Sequence, residues 1–222
     1  SLTKLSLEDV TMTGKLLLSK CTQLAYVNLE NCNFDDATLD LSECTSLTKL
    51  SLEDVTMTGK LLLSKCTQLT YVNLKNCNFD GATLDLSECT SLTELSLHSM
   101  TMKFTLLLSK CTQLKYLNLS PSELYGFLWD LTKSNLEFTT IDLSECTSLT
   151  ELSLENVTMT DKLLLSKYTQ LTHVNLDSCR FDDAPLDLSE CSSLTKLSLE
   201  DVTMTGKLLL SKCTRLKYVN LG

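Results

Sequence analysis

Residues 24–34, LAYVNLENCNF, carry the spacing from which the architecture follows: Leu24-x-x-Val27-x-Leu29-x-x-Cys32-x-Phe34. Within it Val27 and Leu29 alternate with Tyr26, Asn28 and Glu30, the period of a strand with one buried face. The same spacing precedes it as Leu2-x-x-Leu5-x-Leu7-x-x-Val10-x-Met12. Half-repeats restart at Leu2, Leu24, Leu47, Leu69, Leu92, Leu114, Leu149, Leu171, Leu194 and Leu216, at intervals of 22 and 23 residues in alternation, except that the sixth is 12 residues longer. Two halves make a 45-residue unit. Residues 1–45 and 46–90 differ at three positions only, Ala25/Thr70, Glu30/Lys75 and Asp36/Gly81. A fixed period in this range predicts a solenoid. Its turns, about nine and a half here, each open with a short strand, and stacking them makes a parallel sheet with strands ~4.8 Å apart.

Composition agrees with one such domain spanning 1–222. The chain has 43% hydrophobic but only 6% aromatic residues, so its core is aliphatic side chains and sulfur, and two prolines and six glycines leave no composition for a flexible linker. A formal charge of −9 argues against nucleic acid, whose phosphates call for clustered Lys and Arg. No run approaches the ~18 apolar residues of a membrane helix, and no basic segment followed by an apolar stretch opens the chain. Neither a nucleic-acid partner nor membrane insertion is expected.

The second half-repeat matches L-x-x-L-x-L-x-x-N/C-x-L position for position, and Leu39-x-Leu41-Ser42-x-Cys44-Thr45-x-Leu47 recurs beside it. On these motifs the whole chain resembles leucine-rich-repeat proteins, and the recurring cysteine motif is similar to the short bacterial and protist types, including BspA-like surface proteins. The resemblance implies a binding scaffold without shared catalytic residues, and a cell-surface or secreted setting. One departure is regular: Val10, Val55, Met100, Val157 and Val202 stand where the odd halves should carry asparagine. Apolar packing should replace the asparagine ladder there.

A second alternation, Leu16-Leu17-Leu18 and Leu39-Asp40-Leu41, points Leu16, Leu18, Leu39 and Leu41 inward and Leu17 and Asp40 outward. It predicts short strands or extended segments on the convex side rather than α-helices. Along that side Lys20, Glu43, Lys65, Glu88, Lys110, Glu145, Lys167, Glu190 and Lys212 alternate in sign, so neighbouring turns should pair opposite charges and fix one register. The same side repeats an exposed leucine, Leu17, Leu62, Leu107, Leu164 and Leu209, between Asp40, Asp85, Asp142 and Asp187, a broken stripe that could dock a neighbour.

Eleven cysteines would ordinarily raise disulfides or zinc, but their positions argue for neither. Cys21, Cys44, Cys66, Cys89, Cys111, Cys146, Cys191 and Cys213 share one column, with Tyr168 substituting once, and Cys32, Cys77 and Cys179 share another. Columns of small buried thiols are what a repeat interior accepts, and free cysteines are expected throughout. There is no Cys-x-x-Cys pair, and the two histidines face outward, so no metal and no cofactor is expected. Asp35 and Asp36 resemble a catalytic carboxylate pair, yet they recur as Asp80 and as Asp182 with Asp183, and Gly14, Gly59 and Gly206 stand singly, as turn residues do. The chain reads as a non-enzyme.

The outward positions of the concave sheet are the default contact surface of a solenoid. One row runs Lys4, Tyr26, Lys49, Tyr71, Glu94, Tyr116, Glu151, His173, Lys196 and Tyr218, and beside it Ser and Asn alternate from Ser6 to Asn220. Tyrosine offers contact area at low entropic cost, and these rings have no partner within the repeat pattern. The Ser/Asn row suggests a hydrogen-bond ladder between turns. In the fifth turn His98, Met100, Lys103 and Phe104 break the repeat, and an insertion over about 120–140 follows. Ser120-Pro121-Ser122-Glu123 is a capping box, and Leu124, Phe127, Leu128 and Leu131 have helical spacing, so a helix from about Pro121 to Lys133 is expected, presenting Tyr125 and Trp129. The candidate contact set is therefore Tyr26, Tyr71, Tyr116, His173 and Tyr218 with His98, Phe104, Tyr125 and Trp129. A protein partner fits it best, with a structural or engineered scaffold, or the recognition domain of a larger enzyme or effector, as the alternatives. Ser1 begins in a strand and Gly222 ends after one, an arrangement expected of a fragment lacking both caps and prone to self-association through its ends.

Overall fold

The computed structural model describes residues 1–34, 37–57, 59–78, 83–98, 105–120, 136–138, 143–159, 163, 165–181 and 185–222. Every half-repeat contributes one strand to a ten-stranded parallel sheet in unbroken sequence order, from Lys4–Glu8 and Tyr26–Glu30 to Lys196–Ser198 and Tyr218–Asn220. The register is the one that the repeat demands: Lys4 faces Tyr26, Tyr26 faces Lys49, and Leu29 faces Leu52. Because the side-chain period is two, this register sends every apolar position inward. Val27, Leu29, Leu50, Leu52, Val72 and Leu74 are wholly buried.

Seven of the ten strands are followed by a left-handed corner among the described residues. Asp9, Asn31, Asp54, Asn76, Asn156, Ser178 and Asp201, the same position in the first four turns and in the seventh to ninth, have φ between 50° and 57°. Asn and Asp tolerate this conformation better than other L-residues with a Cβ. The corner turns the amide towards the next turn, so that Asn31 N–H donates to Glu53 O at 2.9 Å and Asn76 N–H to His98 O at 2.9 Å.

On the convex side Leu16–Leu17, Leu39–Asp40 and Leu61–Leu62 form a second parallel sheet, and Thr83–Asp85 with Thr105–Leu107 and Leu186–Asp187 with Leu208–Leu209 continue it in pieces. Leu39 and Leu41 are wholly buried, while Leu17, Leu62, Leu107 and Leu209 are exposed as expected. Leu164 and Asp142 of that stripe lie outside the described residues, as do Met100 and the repeated aspartates Asp35, Asp36, Asp80, Asp182 and Asp183.

A third set of strands was not anticipated. Asn33–Phe34 pairs with Thr56–Met57, and Leu136–Phe138, Val157–Met159, Arg180–Phe181 and Thr203–Met204 form a four-stranded sheet. Its source is the tail of the motif, where Val55 and Met57 point inward around Thr56 and both are buried. Val55 and Val157 thus pack where asparagine would have stood. Among the described residues there is no helix. The expected helix over Pro121–Lys133 lies outside them. Leu136–Phe138 is again in frame, Leu136 opposite Val157 and Phe138 opposite Met159.

Cysteine columns run through the core. All eleven thiols are free. The Leu41 carbonyl accepts from Cys44 N–H of its own turn at 2.9 Å and from Cys66 Sγ of the next at 3.2 Å, and Cys44, Cys111, Cys191 and Cys213 reach back in the same way. Where Tyr168 replaces cysteine, its hydroxyl donates to Leu143 O, the matching carbonyl, and its ring is buried. On the surface Lys65 meets Glu43 at 2.7 Å, Lys212 meets Glu190 at 2.7 Å, and Lys110 pairs with Glu88, each lysine reaching back one turn.

Candidate partner-binding face

The strands set Lys4, Tyr26, Lys49, Tyr71, Glu94, Tyr116, Glu151, His173, Lys196 and Tyr218 side by side on the outward face of the ten-stranded sheet. Odd and even half-repeats contribute different residues to one structural position, which is why charge and ring alternate. The rings are not all without partners, as the repeat pattern had suggested. Lys4 Nζ lies 4.9 Å from the centre of the Tyr26 ring and Lys49 Nζ 5.9 Å from that of Tyr71, both within cation–π range. Burial, then the neighbouring Glu94 carboxylate, holds the Tyr71 phenol above its ordinary pKa, so it remains a neutral donor. His173 Nδ1 stands 2.9 Å from Thr172 Oγ1 and 4.0 Å from Glu151.

The Ser/Asn row divides its work within and between turns. Asn118 Oδ1 accepts from Ser120 N–H at 2.7 Å and Asn175 Oδ1 from Asp177 N–H at 2.9 Å, so these carbonyls hold their own chain. The Asn175 and Asn220 amides instead reach back a turn, to Glu155 at 2.6 Å and Glu200 at 2.8 Å. The clearest ladder between turns belongs to threonines that the sequence reading passed over. Thr70 Oγ1 donates to Thr48 O, Thr93 to Thr70 O, and Thr195 to Thr172 O, all within 3.0 Å. Their signal was a threonine recurring two positions before each odd strand's first inward leucine, joined by Thr70 and Thr172 at the same place in two even strands, on the rim of the concave face.

Towards the C-terminal half the face forms an open groove of about 760 Å³, with Tyr116, His98, His173 and Tyr218 in its lining. It brings together four of the nine expected contact residues. Tyr26 and Tyr71 belong to the same row but not to this lining, and Phe104, Tyr125 and Trp129 lie outside the described residues. Lys196 of the row also lines it, with Lys75 and Glu155, which were not singled out from sequence because which side chains share a groove depends on the three-dimensional stacking of the turns. Lys75 is held by an ion pair with Glu53. Among the described residues no group of three His, Cys, Asp or Glu side chains is placed to hold a metal ion, and no helix is long and apolar enough to cross a membrane.

No protein-family model and no curated protein matches the sequence. Solved structures do share the fold. The functional domain of InlJ from Listeria monocytogenes, which includes a cysteine ladder, superposes with a TM-score of 0.57 at 20% identity, over 97% of this chain and 45% of that one. A leucine-rich-repeat protein of Leptospira interrogans gives 0.55 at 16% identity, over 85% of this chain and 52% of its own. The leucine-rich-repeat ectodomain of the Arabidopsis thaliana membrane receptor kinase GASSHO1/SCHENGEN3, solved in complex with CASPARIAN STRIP INTEGRITY FACTOR 2, gives 0.55 at 16% identity, over 100% and 35%. The chain therefore spans about half or less of the length of these proteins.

Proposed function

For a chain with the leucine-rich-repeat fold, we propose that the concave sheet is a protein-interaction surface and that its groove around Tyr116, His173 and Tyr218 is where a partner seats. One observation carries this reading: aromatic side chains from alternate turns converge on a single open groove, while on the convex side Lys65, Lys110 and Lys212 are each neutralised by a glutamate of the turn before. Rings of this kind anchor interfaces because they bury area at little entropic cost. The solved complex of the plant ectodomain supports binding as the use to which this fold can be put. The reading extends to the insertion edge, with Phe104, Tyr125 and Trp129 as further contacts. It takes the parent as a surface or secreted bacterial or protist protein, the setting implied by the short-repeat resemblance, and assigns the chain no catalytic step.

The test is to pan a displayed random-peptide library on the immobilised protein and to map the bound peptides by hydrogen exchange. Slowed exchange in Tyr116–Asn118, Glu151–Ser153 and His173–Asn175 is expected. Slowed exchange confined to Leu16–Leu17, Leu39–Asp40 and Leu61–Leu62, or no enrichment of peptides, would refute the reading.

A further inference from the structure

Along the aromatic row the strand before a tyrosine places a lysine in register with it at Tyr26, Tyr71 and Tyr218, and a glutamate at Tyr116. Tyr26 has Lys4 over its face and Tyr71 has Lys49, each ammonium coming from the strand before. Tyr218 is paired with Lys196. Tyr116 alone among the row's tyrosines has a carboxylate on both sides, Glu94 in register before it and Glu151 after it. The ring is half-buried, and both carboxylates are exposed. Tyr116 and Glu151 line the groove, together with Glu155. The groove's own lysines are placed elsewhere. Lys75 is engaged by Glu53, and Lys196 stands three strands from Tyr116, about 14 Å at ordinary strand spacing.

We propose that Tyr116, Glu94 and Glu151 form the docking point for a basic side chain, lysine or arginine, presented by a protein or peptide partner. The partner's cation completes at Tyr116 the arrangement that Lys4 and Lys49 complete at Tyr26 and Tyr71. A cation over an aromatic face is attracted by the ring's electron density, and carboxylates flanking it add charge-assisted hydrogen bonds. Arginine suits both at once, with a flat guanidinium that stacks while its N–H groups fork towards carboxylate oxygens. The Glu151 carboxylate, 4.0 Å from His173 Nδ1, retains acceptor capacity for such a donor. A net charge of −9 favours approach of a basic segment at low ionic strength. The inference rests on the concave-binding reading and adds the chemistry of the partner.

The experiment uses peptides selected from the displayed library together with Nα-acetyl-arginine methylamide. Selected peptides are expected to share a lysine or arginine whose replacement by glutamine weakens binding at least tenfold. Glu94→Gln combined with Glu151→Gln should weaken binding by a similar factor. Glu94→Lys, which places an internal ammonium beside Tyr116 as the repeat does beside Tyr26, should abolish it without lowering the melting temperature. In wild-type protein, millimolar acetyl-arginine methylamide should shift the Tyr116 ring resonances, and in Glu94→Lys it should not. Peptides that need Tyr116 but carry no basic residue, or that bind Glu94→Lys unchanged, would overturn this inference and leave concave binding standing. Peptides mapping to the convex side, or none at all, would overturn both, whereas ring resonances unmoved by the arginine probe taken together with non-basic binders would overturn this inference alone.

Discussion

At the scale of the residue, the cysteines show how one side chain serves a stack. Burial in the column pushes the Cys44 thiol up to about 11 and those of Cys66, Cys111 and Cys191 to about 12, and in the second column Cys77 and Cys179 also reach about 12. These groups stay protonated in the native state where an unfolded thiol ionises, near pH 8.5. The folded protein then binds more protons than the unfolded one, so their contribution to stability is complete below that pH and is lost as pH rises towards 11–12. Each such thiol lowers stability by roughly 1.4 kcal/mol per pH unit in that window. Urea midpoints should be flat from pH 6 to 8 and fall steeply above pH 9; a midpoint unchanged at pH 10 would contradict the buried thiols. Cys66→Ser, which shortens the reach to the Leu41 carbonyl and buries a hydroxyl, should cost about 1–3 kcal/mol by denaturant melts. The columns were legible from spacing, but the hydrogen bonds that thiols such as Cys66 make were not, because they depend on which carbonyl the preceding turn leaves beside them.

The elements are short strands joined by corners, and there the corner chemistry decides. Asp54 at φ 54° sits where a β-branched side chain would clash with its own backbone. Asp54→Val should therefore destabilise by about 1–3 kcal/mol, whereas Asp54→Gly should be close to neutral, a contrast readable in thermal melts. Gly59 is constrained differently. A Cβ there would lie 1.7 Å from the Ala37 carbonyl oxygen of the preceding turn, so Gly59→Ala must spread two turns apart and should lower the melting temperature more than Gly14→Ala, which meets nothing within 4 Å and carries only the backbone strain of φ 104°. Lys65→Ala removes one exposed ion pair with Glu43 and should change stability by less than about 1 kcal/mol. Strands on the concave and convex sides were readable because Val27 and Leu29, or Leu39 and Leu41, alternate over enough residues to show a period. The third set is less legible because Asn33–Phe34 and Thr56–Met57 sit in the tail of the repeat motif, where the inward pair reads as its closing consensus positions and the pairing comes from the stack.

Over the whole molecule the repeat makes every face nearly uniform, so function has to lie where uniformity fails. Position by position the aromatic row could be written down from sequence, and its register is the observed one. What sequence could not convey is that Lys4 and Lys49 occupy the faces of Tyr26 and Tyr71, or that Tyr116, His173 and Tyr218 line one groove. Those facts depend on side-chain conformations and on contacts between turns far apart in sequence. They also divide the row in two: the first rings are satisfied within the repeat, and the later ones face the groove. The most direct measurement is the affinity of one library-selected peptide for Tyr116→Ala and Lys65→Ala side by side. Concave recognition predicts at least a tenfold loss with Tyr116→Ala, in a protein that melts as the wild type does, and unchanged affinity with Lys65→Ala; binding kept by Tyr116→Ala and lost by Lys65→Ala would place the functional surface on the convex side and contradict it.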